Sequence, residues 1–456
     1  MNDFTTLGID ARILGAIQTL GFTTMTPIQA QAIPLLLEGN DCIAKAKTGS
    51  GKTLAFAVAI LNTLDTTSKN LQALVMVPTR ELAQQVGRDI ASLASQMPNI
   101  KILELYGGVP LPAQATSIAK GVHIIVGTPG RIMDHMGKGT LDIATVRTVV
   151  LDEADKMVDM GFKESMEKIL SQTSRMRQTL LFSATFPQSL DAIRDTLMRD
   201  PTYVEVESKH EGDTIEELFI ESEPSHKIET LLGVLAHFQP KNVLIFCNTK
   251  ALVHEVSMVL GNKYIEHIAL MGEMEQYARD EALIQFANGS VAVMVATDLA
   301  SRGLDIEALD MVINFDVPFK GEVYRHRIGR TGRAGLSGRA VTLCSTKEEK
   351  YLEALDTQLT WMNVKELNTR KSFHDSAPNR TLVLLKGKRD KLRAGDIMGA
   401  LCGEGGMSAS IIGDIKIEAV RTYIAVERQW VDKVLDFFAK HTVKKQKVKA
   451  FVLKML

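Results

Sequence analysis

The chain has 456 residues, of which 45% are apolar and 23% charged, and its formal net charge at pH 7 is −1. These values are ordinary for globular proteins and exclude a disordered or fibrous chain, and the length favours about three domains. The neutral total hides two opposed blocks: residues 379–456 carry 16 basic and 8 acidic side chains, against 37 basic and 46 acidic ones in the rest. An acidic body is therefore joined to a basic C-terminal domain.

Membrane and disulfide-rich classes are also disfavoured. The first residues, Met1-Asn2-Asp3-Phe4, lack the basic start and apolar core of a signal peptide. The longest apolar run, 54–61, is far shorter than the roughly 20 residues that span a bilayer. The cysteines lie far apart without metal-ligand spacing, which indicates reduced thiols in a cytoplasmic protein. They are Cys42, Cys247, Cys344 and Cys402.

Short apolar runs alternate with segments of helical period through most of the chain. This alternation predicts parallel sheets in α/β domains. The first series of strand candidates is 41–46, 71–77, 123–126, 148–151 and 179–182, and the second is 243–247, 264–270, 291–296, 310–314 and 338–344. Polar stretches separate the series, so we predict domains at 1–206, 215–367 and 379–456 with linkers at 207–214 and 368–378.

The C-terminal domain has a different order of elements. Strand candidates lie at 380–385, 411–417, 422–426 and 448–453, and helix candidates at 397–401 and 429–440. Asp396 is the expected N-cap of the first of these helices. The order βαββαβ predicts a ferredoxin-like arrangement.

A glycine-rich turn after the first strand candidate has the pattern of a phosphate-binding loop. Its glycines let backbone N–H groups close around phosphate oxygens, Lys52 adds a positive charge, and the Thr53 hydroxyl is a ligand for Mg²⁺. The segment comprises Ala46, Lys47, Thr48, Gly49, Ser50, Gly51, Lys52 and Thr53.

Carboxylates follow the buried strand candidate at 148–151, in the run Asp152-Glu153-Ala154-Asp155. Side chains at the carboxyl end of a parallel strand point into the ligand crevice. Asp152 can hold Mg²⁺ through water, and Glu153 can orient or deprotonate an attacking water.

The phosphate loop and the Asp-Glu-Ala-Asp run together resemble the DEAD-box RNA helicases, over about residues 4–345. The resemblance implies two tandem RecA-like domains that share one ATP and Mg²⁺ site, and a linker that acts as a hinge. The segment before the phosphate loop resembles the adenine-reading part of the family, in which the Gln29 amide pairs with adenine. The implied residues there are Phe4, Phe22, Thr26 and Gln29.

Further motifs in the first domain resemble the RNA-facing segments of the family, where helix starts and arginines meet phosphates. The residues they place on RNA are Pro78, Thr79, Arg80, Gly108, Thr128, Pro129, Gly130 and Arg131. Ser183 and Thr185 resemble the motif that couples the acidic run to the second domain, and His326 has the corresponding role there.

The second domain carries motifs that resemble the rest of the helicase core. Implied RNA contacts are Gln276, Arg279, Thr297, Arg302 and Gly303, and Asp305 is an implied ATP contact. Arg330 and Arg333 resemble arginine fingers that stabilise the γ-phosphate during transfer. With Lys52 and Glu153 they form the expected catalytic set. For Arg327 the pattern indicates a solvated basic turn.

The C-terminal domain follows two helicase-like domains and contains the segments Arg393-Ala-Gly-Asp-Ile-Met-Gly-Ala-Leu401 and Ile412-Gly-Asp-Ile-Lys416. These features together resemble the RRM-like, RNA-binding module of the DbpA-like subfamily. That likeness implies targeting to large-subunit ribosomal RNA and pre-ribosomal particles during ribosome biogenesis. Only Tyr423 is aromatic in the strand at 421–428, so base stacking on the sheet is not expected. Basic loops are the expected contacts, namely Lys386, Lys388, Arg389, Lys391 and Arg393, and then Lys444, Lys445, Lys447 and Lys449.

The resulting hypothesis is an RNA-stimulated ATPase that separates short RNA duplexes locally. Three alternatives share parts of the pattern: a DNA helicase, an ATP-gated RNA clamp or scaffold with little unwinding, and an RNA-binding protein with an inactive ATP site. RNA dependence of the ATPase and a duplex-unwinding assay separate them. The oligomeric state and the RNA site are not determined by the sequence.

Overall fold

A computed structural model describes residues 3–46, 49–206, 215–298, 309–332, 337–355, 357–368, 372–374 and 377–454. Six predicted site residues lie outside this part of the chain, namely Lys47, Thr48, Arg302, Gly303, Asp305 and Arg333. The predicted linker 207–214 lies outside it as well. The described residues up to 206 form one compact unit and those from 215 onward form another.

The first unit contains a seven-stranded parallel sheet in the order β3-β4-β2-β5-β6-β1-β7. Its strands are β1 (Cys42–Lys45), β2 (Ala73–Met76), β3 (Ile102–Leu105), β4 (Ile124–Gly127), β5 (Thr148–Asp152), β6 (Gln178–Ser183) and β7 (Thr202–Glu205). Its helices are α1 (Ala11–Thr19), α2 (Pro27–Leu37), α3 (Lys52–Thr63), α4 (Arg80–Leu93), α5 (Leu111–Ala119), α6 (Pro129–Gly137), α7 (Ala154–Asp159), α8 (Lys163–Gln172) and α9 (Asp191–Leu197).

Two apolar clusters enclose this sheet. One packs α1 to α4 against residues such as Val75 and Phe182, and the other packs α6 to α9 against residues such as Leu74 and Leu181. Since successive strand residues point to opposite faces, a strand covered on both sides is apolar throughout. That is why the central strands were predicted from the sequence. The edge strands β3 and β7 are only partly buried and were missed.

The second unit begins with a six-stranded parallel sheet in the order β10-β11-β9-β12-β13-β8. Its strands are β8 (Ile215–Glu221), β9 (Val243–Phe246), β10 (His267–Leu270), β11 (Val293–Ala296), β12 (Met311–Asn314) and β13 (Gly338–Cys344). The helices of this second domain within the described residues are α10 (Lys227–Phe238), α11 (Lys250–Asn262), α12 (Gln276–Ala287) and α13 (Gly321–Ile328). Strand β8 is a partly exposed edge strand that the sequence did not predict.

The C-terminal domain is a four-stranded antiparallel sheet in the order β15-β16-β14-β19. Its elements are β14 (Asn379–Leu384), α14 (Ala394–Met398), a π-helical turn (Gly399–Glu404), β15 (Ile412–Ile417), β16 (Thr422–Glu427), α15 (Val431–Lys440), β17 (Thr442–Val443), β18 (Gln446–Lys447) and β19 (Ala450–Val452). The predicted βαββαβ order and the overall fold class are confirmed.

One local prediction for the C-terminal domain was wrong, and one hairpin was missed. Asp396 is not an N-cap, because the helix begins at Ala394 and the Asp396 carboxylate accepts a 2.9 Å hydrogen bond from the Arg393 backbone N–H. The hairpin of β17 and β18 was not predicted. Its turn residues Lys444 and Lys445 both have positive φ, 53° and 61°, as a two-residue hairpin turn requires, but they lack the usual Asn-Gly signal.

Candidate ATP site and RNA-facing surfaces

The strand order of the first sheet brings the predicted ATP-site segments together. The phosphate loop follows β1, the acidic run ends β5, and Ser183 ends β6. Because β5, β6 and β1 are neighbours, these three segments lie side by side at the carboxyl edge of the sheet. Sequence spacing alone, about 100 residues between the loop and the acidic run, does not reveal this proximity.

The described part of the phosphate loop has the backbone that its glycines allow. Gly49 and Gly51 adopt φ values of 81° and 90°, in the left-handed region that glycine adopts without strain. Lys52 is the first residue of α3 and is buried, and its Nζ donates a 2.5 Å hydrogen bond to the Ala46 carbonyl oxygen. Burial lowers the pKa of Lys52, and the nearby Asp152 opposes that shift. Thr53 follows in the first turn of α3.

Thr26 and Gln29 brace this loop. The Gln29 amide nitrogen donates to the Gly51 carbonyl oxygen at 3.1 Å, and its oxygen accepts from the Thr26 N–H at 2.9 Å. The Thr26 hydroxyl donates to the Ser50 carbonyl oxygen at 2.8 Å. Thr26 and Gln29 therefore support the loop, a role that was not predicted from the sequence. Adenine recognition by Gln29 stays a prediction. Of the two predicted aromatic contacts, Phe4 is buried in the core, whereas Phe22 is 47% exposed.

The acidic run places two carboxylates in different environments. Asp152 is buried, and this burial raises its pKa to about 6, against the lowering effect of Lys52. Glu153 has φ 53° at the start of α7, and its Oε1 accepts a 2.7 Å hydrogen bond from Lys156 Nζ. Among the described residues, its Oε2 is buried without a hydrogen-bond partner. A buried acceptor of this kind is suited to hold a water molecule or another donor.

Asp155 connects the acidic run to the motif at the end of β6. Its carboxylate accepts hydrogen bonds from the Thr185 N–H at 2.9 Å and from the Thr185 hydroxyl at 2.8 Å, and its own N–H donates to Ser183 Oγ at 3.3 Å. Burial would raise the pKa of Asp155, but these hydrogen bonds hold it below its usual range. The predicted coupling residues therefore contact the acidic run directly.

The donors and acceptors at this edge fit a magnesium nucleotide. The loop supplies backbone N–H groups and the Lys52 ammonium for phosphate oxygens. Thr53 and Asp152 supply the oxygen ligands that Mg²⁺ prefers. The unpartnered Oε2 of Glu153 is the acceptor that an attacking water requires.

The RNA-facing motifs of the first domain lie at the other half of the same edge. They follow β2, β3 and β4, which are neighbours in the sheet. The Arg80 guanidinium lies against Gly107, with Nη2 3.1 Å from the position that a β-carbon there would occupy. Arg131 donates to the carbonyl oxygens of Tyr106 at 3.1 Å and Val109 at 2.8 Å, which braces the turn around Gly108.

The remaining residues of this predicted surface are at helix starts. Thr79 is the N-cap of α4, and its hydroxyl accepts a 3.2 Å hydrogen bond from the Leu82 N–H. Thr128 precedes α6, which begins with Pro129 and Gly130. Pro78 lies two residues after the end of β2. N-terminal helix turns expose N–H groups, so their grouping at one edge suits the binding of a phosphate backbone.

Arg327 was interpreted wrongly from the sequence. It is 1% exposed, and its guanidinium donates to both carboxylate oxygens of Asp298 at 2.6 Å. It also donates to Asn248 Oδ1 at 2.7 Å and to the Asp316 carbonyl oxygen at 3.0 Å. Arg327 therefore fixes the ends of several strands of the second sheet. These partners could not be predicted from the sequence, because they come from loops up to 79 residues away.

The other predicted residues of the second domain have varied settings. Arg330 is buried, and His326 is half-buried on α13. Gln276 begins α12 and donates to Asp280 at 2.9 Å, and Arg279 is buried on the same helix. Thr297 directly follows β11 and is half-buried.

The two basic groups of the C-terminal domain are neighbours in space. Lys444 Nζ donates to the Lys391 carbonyl oxygen at 3.0 Å and lies 3.3 Å from Asp396 Oδ2. The loop at 386–393 and the hairpin of β17 and β18 thus form one edge of this domain. Lys386 pairs with Asp390 at 2.8 Å. Most of the basic side chains on this edge are exposed, namely Lys388, Arg389, Lys391, Arg393, Lys444, Lys445, Lys447 and Lys449.

Replacing Gly51 by alanine is expected to weaken ATP binding by about 30- to 100-fold. A β-carbon at Gly51 would lie 2.3 Å from Gln29 Nε2, so the brace must move. The left-handed backbone costs about 1–2 kcal/mol and a lost hydrogen bond about 1 kcal/mol more. Nucleotide titration measures the affinity.

Gly139 offers a matched control for that substitution. It also has positive φ, 66°, but no atom lies within 4 Å of its virtual β-carbon. Gly139→Ala should lower stability slightly and leave ATP affinity unchanged. Equal ATP affinities for the two variants would show that the Gln29 brace does not matter.

Comparisons with known proteins agree with this arrangement. Family models match at residues 26–193 (DEAD/DEAH box helicase), 226–335 (Helicase conserved C-terminal domain) and 381–451 (DbpA RNA binding domain). ATP-dependent RNA helicase DbpA of Escherichia coli (strain K12) is 41% identical over 433 residues, which is 94% of each chain. DEAD-box ATP-dependent RNA helicase CshA of Bacillus cereus is 40% identical over 357 residues, 78% of this chain and 68% of that one.

A solved structure extends the likeness to three dimensions. S. cerevisiae Dbp5 bound to RNA and ADP BeF3 is similar with a TM-score of 0.72 and 25% sequence identity, over 80% of this chain and 97% of that one. Within the described residues, no helix is both long enough and apolar enough to cross a bilayer.

Proposed function

The chain belongs to the DEAD-box ATP-dependent RNA helicases, and we propose that it opens short duplexes in large-subunit ribosomal RNA during ribosome assembly. The observation that carries this proposal is the exposed basic edge of the C-terminal domain, built from the 386–393 loop and the β17–β18 hairpin. The similarity to E. coli DbpA runs through this domain, over 94% of both chains. Pre-ribosomal particles are the partners that we propose.

ATP hydrolysis uses the carboxyl edge of the first sheet. Lys52 and the loop N–H groups bind and orient the phosphates, and Glu153 accepts the proton of the attacking water. Lys156 holds Glu153 through Oε1, which leaves Oε2 for that water. Mg²⁺, held by Thr53 and through water by Asp152, neutralises phosphate charge when it is bound.

Arg330 and Arg333 supply the positive charge that the transferred phosphoryl group requires, and Asp305 contributes to nucleotide binding. Fixed positive charge at the γ-phosphate accelerates transfer by about 10³–10⁵-fold in related reactions. Arg330 is buried, and its backbone N–H donates to the Arg327 carbonyl oxygen. This setting supports a role in which the Arg330 guanidinium is held in a defined position, unlike that of a mobile surface side chain.

RNA is bound mainly through its sugar-phosphate backbone, which gives weak sequence selectivity. In the first domain the contacts are the segments after β2, β3 and β4. In the second domain they are the start of α12 and the segment after β11. The hydrogen bonds between Asp155 and Thr185 attach the acidic run to the segment after β6. That segment carries the coupling motif, so these bonds link ATP hydrolysis to RNA binding.

Selection of ribosomal RNA is the task of the basic edge. Replacing Lys388, Arg389 and Lys391 by glutamine is expected to weaken binding to ribosomal RNA and to flatten its salt dependence. Loss of three phosphate contacts should reduce the slope of log K against log salt concentration by about two to three. Stimulation of the ATPase by ribosomal RNA should fall toward that by a homopolymer.

The control replaces three exposed lysines elsewhere in the same domain, Lys433, Lys440 and Lys454. The net charge changes equally, so a loss confined to the first variant locates the RNA contacts. Substitution is preferable to deletion of residues 379–456, since deletion would expose Ile284 of the second domain. Equal affinity and slope in the two variants would contradict the assignment of the basic edge.

A further inference from the structure

The central strands of the C-terminal sheet, β14 and β16, are buried on both faces. Leu382 and Leu384 of β14 and Ile424 and Val426 of β16 point into the core of the domain. The residues between them point to the opposite face, because side chains alternate along a strand. In a four-stranded sheet with both helices on one side, that opposite face is normally open to solvent or ligand.

Here the second domain covers the opposite face. Val383 and Tyr423, which are paired across β14 and β16, form an apolar cluster with Leu453 and with Ile284 of α12. Val383 is fully buried and the other three are at most 9% exposed. The surface on which an RRM stacks bases is therefore occupied by a helix of the same chain.

A carboxylate of α12 completes this contact. Glu281 is 5% exposed, and its Oε1 accepts hydrogen bonds from the Tyr423 hydroxyl at 3.0 Å and from Arg421 at 2.8 Å. Burial and the Glu281 carboxylate raise the pKa of Tyr423, so the phenol stays protonated as a donor. A buried carboxylate with two such partners is a specific contact rather than a loose surface pair.

A second carboxylate and a polar cluster lie at the other end of the face. Glu266 pairs with Arg380 and, at 2.7 Å, with Arg428. The Thr381 hydroxyl lies 2.9 Å from both the Asn288 amide nitrogen and the Ser290 hydroxyl. Apolar residues are thus flanked by charged and polar contacts, as in a specific interface.

The charge balance of the C-terminal domain supports the same view. Its five arginines are Arg380, Arg389, Arg393, Arg421 and Arg428. Three of them contact the carboxylates of the second domain. The other two lie in the exposed loop at 386–393. Three arginines of this domain thus contact the second domain, and two lie on the exposed basic edge.

We propose that this face of the C-terminal domain is a docking surface for α12, and that α12 sets where captured RNA lies relative to the helicase core. Helix α12 begins with Gln276 and Arg279, the predicted RNA contacts of the second domain, and continues with the docking residues Glu281 and Ile284. One rigid helix thus carries both groups, so RNA held by the basic edge is presented at a fixed distance from the RNA contacts of the second domain. The docking itself is independent of the function proposed above, whereas its effect on RNA choice rests on that function.

The docking is tested by thiol labelling of the full chain with Ile284→Cys, in a Cys402→Ser background because Cys402 is the partly exposed native cysteine. Docking predicts slow labelling. Glu281→Arg places a second cation beside Arg421, and labelling is expected to be at least about tenfold faster because an unpaired buried charge disfavours the docked state. Adding Arg421→Glu restores an opposite pair and should return labelling to the slow rate. Fast labelling without any charge change, or no effect of Glu281→Arg, would overturn the docking.

The effect on RNA choice is read from ATPase stimulation by ribosomal RNA and by a homopolymer, in the natural cysteine background. Glu281→Arg should lower the ratio of the two several-fold without changing homopolymer stimulation, and the charge swap should restore the ratio. An unchanged ratio in a variant that labels quickly would overturn the positioning role. If the unsubstituted protein shows no preference for ribosomal RNA, the function proposed above fails, and the labelling result for docking still stands.

Discussion

Glu153→Gln is expected to lower the rate of RNA-stimulated ATP hydrolysis by about 10²–10⁴-fold, the range that a positioned general base contributes. This corresponds to about 3–5 kcal/mol of lost transition-state stabilisation. The amide has almost the shape of the carboxylate but cannot accept a proton from water. Since Lys52 and the loop are unchanged, ATP affinity should remain within a few-fold of its original value. Steady-state ATPase assays and nucleotide titration measure the two quantities.

The control for this substitution is Glu167→Gln, a partly exposed carboxylate on α8 of the same domain. It changes the net charge equally and should leave turnover unchanged. Normal turnover by the Glu153 variant would refute the assigned chemistry. Loss of ATP binding in parallel with turnover would instead mean that Glu153 acts by holding Lys156 and the loop.

Arg327→Lys is expected to destabilise the second domain by about 1–3 kcal/mol, because it leaves buried hydrogen-bond acceptors without their donors. Lysine keeps the charge, but it cannot place donors on Asp298, Asn248 and the Asp316 carbonyl oxygen together. Asp298 follows the end of β11 and Asp316 follows the end of β12. Local opening of these two strands should therefore become easier. Amide hydrogen exchange of these strands measures that change without assuming that the whole chain unfolds in one step.

Arg325→Lys is the matched control, because Arg325 is on the same helix and exposed. Such a surface change usually alters stability by less than about 0.5 kcal/mol. If Arg327 were a solvated turn residue, as its sequence context indicates, the two variants would behave alike. Equal exchange rates would therefore favour the sequence interpretation over the buried network.

Fold prediction from the sequence succeeded where burial is complete. Central strands such as β5 and β12 are buried along their whole length and have continuous apolar runs, so they stand out against the helical pattern. Edge strands such as β3 and β8 are only partly buried, and glutamates interrupt their apolar residues, so their apolar signal is weaker. The β17–β18 hairpin was missed because two lysines occupy turn positions at which glycine or asparagine is the usual signal.

Site residues could be predicted from the sequence where the expected chemistry is local to a motif. The glycines, Lys52 and the acidic run carry their function in their residue types and spacing. The supporting contacts did not follow from that information. Gln29 braces Gly51, and Arg327 meets partners from separate loops, because each contact depends on how distant segments are folded together.

The sequence by itself determined the chemical groups of this protein, the alternation that builds two parallel sheets, and the division into an acidic core and a basic end. Tertiary structure decided how these groups are combined. The strand order places the predicted ATP segments after β5, β6 and β1 and the predicted RNA segments after β2, β3 and β4. Strand order is set by packing between distant segments. Likewise, the sheet alternation of the C-terminal domain is visible in the sequence, but only the fold shows that α12 covers its second face.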